Sequence, residues 1–234
     1  MAVHLYGVLD AGAEPAPSIP GLDGRPVRAL SLGVRCAWIS DVPESRLEAT
    51  PERIRAHDAV LRGAIANGHS VVPSLFGRLH ADDAALVAEL QGGTAALDAA
   101  MALVRERVEM SFIVATSGAE PIAEPDLQRE TRGPGHAHLQ HIRNRIHAER
   151  ILRESAANLA LSATRALTDL YIAERVVDDP TPPVLVARAH LVARDSVARY
   201  LRAVKLEAAN ADPALRVAVR GPGAAYSFAA VQIG

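Results

Sequence analysis

The residues best equipped for chemistry are four histidines, His136, His138, His141 and His147, in the stretch HAHLQHIRNRIH. On a helix, His138 and His141 stand three apart, a spacing that lets two imidazoles share one metal ion. One reading is therefore a metal-dependent enzyme built on His136, His138 and His141. Against it, no Asp or Glu stands at a partner position, and Arg143, Arg145 and Arg150 crowd the segment with positive charge. The competing reading is an exposed polar helix, because short motifs of this kind also arise by chance. No metal and no cofactor is expected.

The other chemistry-bearing side chains stand apart from one another. His57 falls on the apolar face of a helix, and Asp58 points about 100° away from it, so the two do not form a catalytic pair. A buried or half-buried His57 that hydrogen-bonds a backbone group is expected. Cys36 sits beside Trp38 in a strand with no histidine near it in sequence, which suits a small hydrophobe better than a nucleophile. As the single cysteine it excludes an internal disulfide. Ser74 and Ser227 lack the G-x-S-x-G setting of a nucleophilic serine, and no phosphate-binding glycine loop occurs. No catalytic residue is expected, and the chain reads as a non-enzyme.

The elements that must position these residues follow from pattern. VHLYGVL (3–9) alternates as a strand, and residues 10–26, with four prolines and three glycines, form a loop. VRAL (27–30) and VRCAWIS (34–40) read as a hairpin. Thr50-Pro51-Glu52 opens a helix with Ile54, His57, Leu61 and Ile65 on one face, ended by Asn67-Gly68. VVPSLF (71–76) reads as an edge or bulged strand, since a central strand excludes Pro73, and Gly77 turns the chain. Asp82 caps a helix over 83–90, and Thr94 caps another over 95–105.

After residue 106 the order becomes strand (108–116), long helix or helix pair (137–163), strand (167–177), strand (184–193), helix capped by Asp195, strand (214–221). Gly221-Pro222-Gly223 reads as a turn ending the last strand. The expected fold class is α+β in two domains. Residues 1–106 form an N-terminal α+β domain. Residues 107–234 form a C-terminal ferredoxin-like domain, a βαββαβ antiparallel sheet with helices on one face and a C-terminal tail.

Composition limits the function classes. Apolar residues are 49% and charged residues 22%, as in a globular protein. Residues 1–105 hold 9 basic and 12 acidic side chains and residues 106–234 hold 16 and 15, so neither half offers a basic surface for nucleic acid. No signal peptide and no membrane span are expected.

A set of short motifs recurs in a specific order: LYGV (5–8), WISDV (38–42), AHDAVL (56–61), VVPSLFG (71–77), VEM (108–110), HLVAR (190–194) and RGPGAAYSF (220–228). In that order, from about residue 3 to residue 230, the chain resembles the gas vesicle protein GvpF/GvpL family. The resemblance implies a non-enzymatic accessory or minor structural protein acting in gas vesicle assembly in the cytoplasm and at the gas vesicle. It implies as partners the small hydrophobic shell protein, GvpA, and other accessory gas vesicle proteins. It implies two α+β domains, the second a modified ferredoxin-like fold, and it does not separate GvpF from GvpL. The ending Gly223-Ala224-Ala225 is poorer in proline and bulky residues than the family's usual one.

A partner that keeps a hydrophobic shell protein from aggregating needs an apolar edge or groove. The candidates are Phe76 with Gly77, and the tail residues Tyr226 and Phe228. Core packing is the competing reading for these aromatics, and Phe76 is expected to plug the core of the first half. A small-ligand regulatory module remains a third functional reading on fold analogy.

Overall fold

The structure is a computed structural model and describes residues 1–16, 18–43, 46–117, 134–178 and 180–230. Its first sheet is built around β1 (Ala2–Asp10). β1 pairs antiparallel with β3 (Arg35–Val42), which pairs with β2 (Arg28–Ser31) as the expected hairpin. On its other side β1 pairs with β4 (Val71–Pro73) and β5 (Leu79–His80).

β1 is buried on both faces, which the simple alternation of its sequence did not convey. One face, carrying Tyr6, Leu9 and Trp38 of β3, packs on α1 (Pro51–Ala66) through Val60, Leu61 and Ala64. The other, with Val3, Leu5, Val8 and Ile39, packs on α2 (Asp83–Gly92) and α3 (Thr94–Val104) through Leu86, Leu90, Leu97 and Met101.

The second sheet has the order β7-β8-β6-β9, antiparallel throughout. Its strands are β6 (Arg107–Thr116), β7 (Ala173–Val176), β8 (Val184–Ala193) and β9 (Leu215–Gly223). Helices α4 (Pro134–Leu167) and α5 (Val197–Ala209) complete a β-α-β-β-α-β order in sequence. β6 alternates cleanly: Val108, Met110, Phe112 and Val114 are buried with Ala156, Ala160 and Ala163 of α4 and Tyr200 and Val204 of α5. The same apolar cluster contains Tyr6, Trp38 and Leu61, so the two halves share core. The chain closes with α6 (Tyr226–Ala229).

Several local expectations are corrected. The strand expected over 71–76 stops at Pro73; Ser74 N–H still reaches the Tyr6 carbonyl at 2.8 Å, and the chain then turns away. β4 is an edge strand all the same, with Val71 and Val72 paired to β1 alone among the described residues. Thr94 does not cap α3. Gly93 holds that position, because a one-residue link leaves Thr94 already helical, and its hydroxyl donates to the Gln91 carbonyl at 2.8 Å. Asp195 does not cap α5; a 3-10 turn over Arg194–Ser196 intervenes, and Ser196 Oγ donates to the Asp195 carboxylate at 3.0 Å. Ile54 is 46% exposed, so Val60 rather than Ile54 completes the buried face of α1. α4 is one continuous helix, and 167–177 divides into the end of α4, a 3-10 turn and the short β7. Gly221-Pro222-Gly223 is not a turn but a bulged continuation of β9, with Gly223 paired to Glu109. A Cβ at Gly221 would stand 2.6 Å from the Glu109 carbonyl oxygen, which is why the bulge needs glycine.

Candidate functional site

The first half buries two histidines in contact with each other. β1 places His4, and the apolar face of α1 places His57, directly against each other: His4 Nε2 and His57 Nδ1 are 2.9 Å apart. His57 Nε2 lies 3.0 Å from the carbonyl oxygen of Ser74. A carbonyl only accepts, so Nε2 of His57 carries the proton and donates. Nδ1 of His57 then accepts from Nε2–H of His4, which leaves His4 Nδ1 as a buried lone pair with no protein partner.

The surroundings enforce neutrality. Burial, reinforced by the neighbouring His57, pushes His4 down to about 3. Burial pushes His57 down to about 4, only partly offset by its bond to the Ser74 carbonyl. A charge on either ring would be desolvated, so the pair stays neutral near pH 7. Tyr6 continues the buried polar chain on the neighbouring side: it accepts from Leu22 N–H at 2.8 Å and donates to Ser40 Oγ at 3.0 Å.

Two of the aromatics singled out in the sequence meet on this pair. The Phe76 ring lies 5.8 Å from His4 and 5.9 Å from His57, centroid to centroid, and the Tyr226 ring lies 6.4 Å from His57. Both are half-buried and pack against the first cluster, so each is core on one side and accessible on the other. Gly77 turns the chain just after Phe76 at φ +87°, with open space where a Cβ would stand. Phe228 does not join them. It packs against the opposite cluster, with Leu97 and Met101. The tail is pinned by Glu109, whose carboxylate accepts from Ser227 N–H and Ser227 Oγ, each at 2.8 Å. Burial raises Glu109 above the usual carboxylate range, against those two bonds.

The histidine-rich stretch is only partly within reach. His141 and His147 are exposed on α4, with His147 Nδ1 3.2 Å from Arg150 Nη2, while the side chains of His136 and His138 lie outside the described residues. Among the described residues no three His, Cys, Asp or Glu side chains are grouped to hold a metal ion. Cys36 is buried, with its Sγ 3.4 Å from the carbonyls of Asp10 and Ala13, and burial raises its thiol. No described helix is long and apolar enough to cross a membrane.

Sequence reasoning missed His4 and Leu75. His4 lies on a face that alternation marks as polar. Leu75, 49% exposed beside Phe76, sits in a stretch read as strand. The available signal for His4 was the apolar setting of the whole of 3–9, which leaves no solvated face.

Comparison with known proteins agrees with this architecture. The profile described as gas vesicle synthesis protein GvpL/GvpF matches residues 2–230. A gas vesicle protein L from Streptomyces sp. (strain CB03234) is 27% identical, covering 96% of this chain and 89% of that protein. The crystal structure of the gas vesicle protein GvpF from Anabaena sp. PCC7120 superposes with a TM-score of 0.76 at 21% identity, covering 99% of this chain and 97% of that one. That of GvpF from Microcystis aeruginosa gives 0.75 at 17% identity, covering 98% and 99%. At those identities the two crystal structures establish the fold, and the profile match over nearly the whole length establishes the family. The chain belongs to the gas vesicle synthesis protein GvpL/GvpF family.

Proposed function

We propose that the chain is a non-enzymatic assembly factor, acting in the cytoplasm and at the gas vesicle, that binds the small hydrophobic shell protein and other accessory gas vesicle proteins. The family match over residues 2–230 carries this reading. The local geometry supports a contact point. Leu75 is exposed, and Phe76 and Tyr226 are half-exposed over a buried, hydrogen-bonded histidine pair. Preformed apolar anchors of this kind bind at low ordering cost. The division near residue 106 belongs to the same proposal, with Leu75 and Phe76 presented by the first half and Tyr226 by the tail of the second.

Capture of purified shell protein on the immobilised chain tests it. Wild type is expected to retain the shell protein at micromolar concentration. Leu75→Asp, at an exposed position that the fold tolerates, is expected to weaken retention about tenfold, as loss of one anchor residue does. Folded wild type that retains nothing would sink the reading, and equal retention by Leu75→Asp would move the contact elsewhere.

A further inference from the structure

A cleft of about 390 Å³ lies where the two halves meet. One wall is the last turn of α1, with Ile65 and Ala66. The opposite wall is Val108 at the start of β6 and Val197 in the first turn of α5. Two guanidinium groups line it, Arg62 from α1 and Arg194 from the turn before α5. Its size is that of a ligand site, and its walls are apolar with cations placed at particular points.

The cations are positioned by the fold. Arg194 Nη1 donates to the Ile65 carbonyl at 2.8 Å and its Nη2 to the His69 carbonyl, so the side chain closes the C-terminal end of α1. Its Nε is buried with no protein partner, an unsatisfied donor in a rigidly held group. Arg62 pairs through Nε with Asp58 at 2.7 Å and remains 66% exposed, which leaves its outer donors for a second anion. α5 begins beside them. Its N-cap residue, Ser196, gives its hydroxyl to Asp195 rather than to the helix, and the first amide, Val197 N–H, donates to the Arg194 carbonyl of the preceding 3-10 turn. Acidic residues adjoining the two arginines among the described residues include Asp58, exposed Asp195 and Glu106, whose carbonyl accepts from Arg194 N–H at 3.0 Å.

From this juxtaposition we infer that the cleft binds the C-terminal end of a polypeptide whose last residues are apolar. The apolar walls take the terminal side chains. The α-carboxylate is held by the guanidinium groups of Arg62 and Arg194, a mode in which charge-assisted donors read a chain end. The cleft is open to solvent. That suits a chain that continues into solvent better than a free small molecule, which is normally enclosed over most of its surface. This inference is separate from the capture of shell protein at Leu75 and Phe76, and its test uses no shell protein.

The test titrates the full chain with three probes: a hexapeptide ending Val-Leu-Val with a free carboxylate, the same peptide as its C-terminal amide, and octanoate. Binding is read by calorimetry and by emission of Trp38, the chain's single tryptophan. Its ring lies 6.1 Å from His69, whose carbonyl Arg194 engages. The free-acid peptide is expected to bind at micromolar concentration and the amide at least tenfold more weakly. Arg62→Gln is expected to lose about tenfold, and Ala66→Glu, which places a carboxylate in the wall, to abolish binding. Both positions are exposed, so both variants should melt close to wild type. Equal binding of acid and amide, binding of octanoate alone, or no saturation by any probe at millimolar concentration would each overturn the inference.

Discussion

Between pH 6.5 and 4.5 the folded chain is expected to lose stability steeply, on the order of 1.4 kcal/mol per pH unit for each proton the fold refuses. His4 and His57 refuse two. In the fold they stay neutral down to about 3 and about 4, whereas in the unfolded chain each takes up a proton near 6.5. Within that window the unfolded state binds more protons, so stability rises with pH. It is complete above pH 6.5 and is lost as pH falls toward the folded values. Over two pH units the pair costs on the order of 5 kcal/mol, comparable with the whole stability of many domains. Burial lowers His80 and His190 too, so the total slope belongs to more than this pair.

A variant isolates the contribution. His57→Leu removes one refused proton and leaves the Ser74 carbonyl and His4 unpaired. It is expected to be less stable than wild type at pH 7.5 by about 1–3 kcal/mol, yet to lose stability less steeply with acid. Urea unfolding at pH 7.5, 6.5, 5.5 and 4.5 measures both effects. An identical pH slope in wild type and His57→Leu would show that His57 is not a buried neutral base.

The sequence made visible what depends on short-range pattern. The alternation of Met110, Phe112 and Val114, the cap at Asp82 and the hairpin of β2 and β3 all follow from residues within a few positions of one another. The β-α-β-β-α-β order of the second half was readable for the same reason. What stayed hidden depends on long-range placement. That His4 meets His57, 53 positions away, follows only once β1 and α1 are packed together. Phe76 and Tyr226 both stood out in the sequence as aromatics, but their meeting at one imidazole depends on where α6 docks, and Phe228, two residues on, goes to the other cluster. Arg194 reaches back to carbonyls more than a hundred residues earlier, and no local pattern announces that. The failed caps at Thr94 and Asp195 have a different cause. Both residues are good caps, and the chain simply enters the helix one residue away from each.

Gly7→Val is expected to cost about 3 kcal/mol, and its cause is space rather than backbone angle. Gly7 lies in the middle of β1 opposite Pro73 of β4, just past the irregularity at Tyr6 in its pairing with β3. A Cβ there would stand 2.8 Å from the Val72 carbonyl oxygen, 2.9 Å from Val71 Cγ2 and 3.2 Å from Leu61 Cδ2. The first of these is backbone, so β4 itself must move. Gly12→Ala is the contrast: φ is +83° with nothing within 4 Å of a new Cβ, and the loss should be about 1 kcal/mol from conformation alone. Displacing β4 also carries away Ser74, whose carbonyl fixes the tautomer of His57, and Phe76, which covers it. Gly7→Val should therefore do two further things that a plain loss of stability would not. It should reduce the acid slope assigned to His57, and it should weaken shell-protein capture under conditions where Gly12→Ala captures normally. Thermal melts, the urea series and the capture assay on these two variants decide the matter. A Gly7→Val chain that melts with wild type would mean that β4 does not press on β1 as described. A destabilised chain with an unchanged His57 slope would uncouple the strand from the histidine pair.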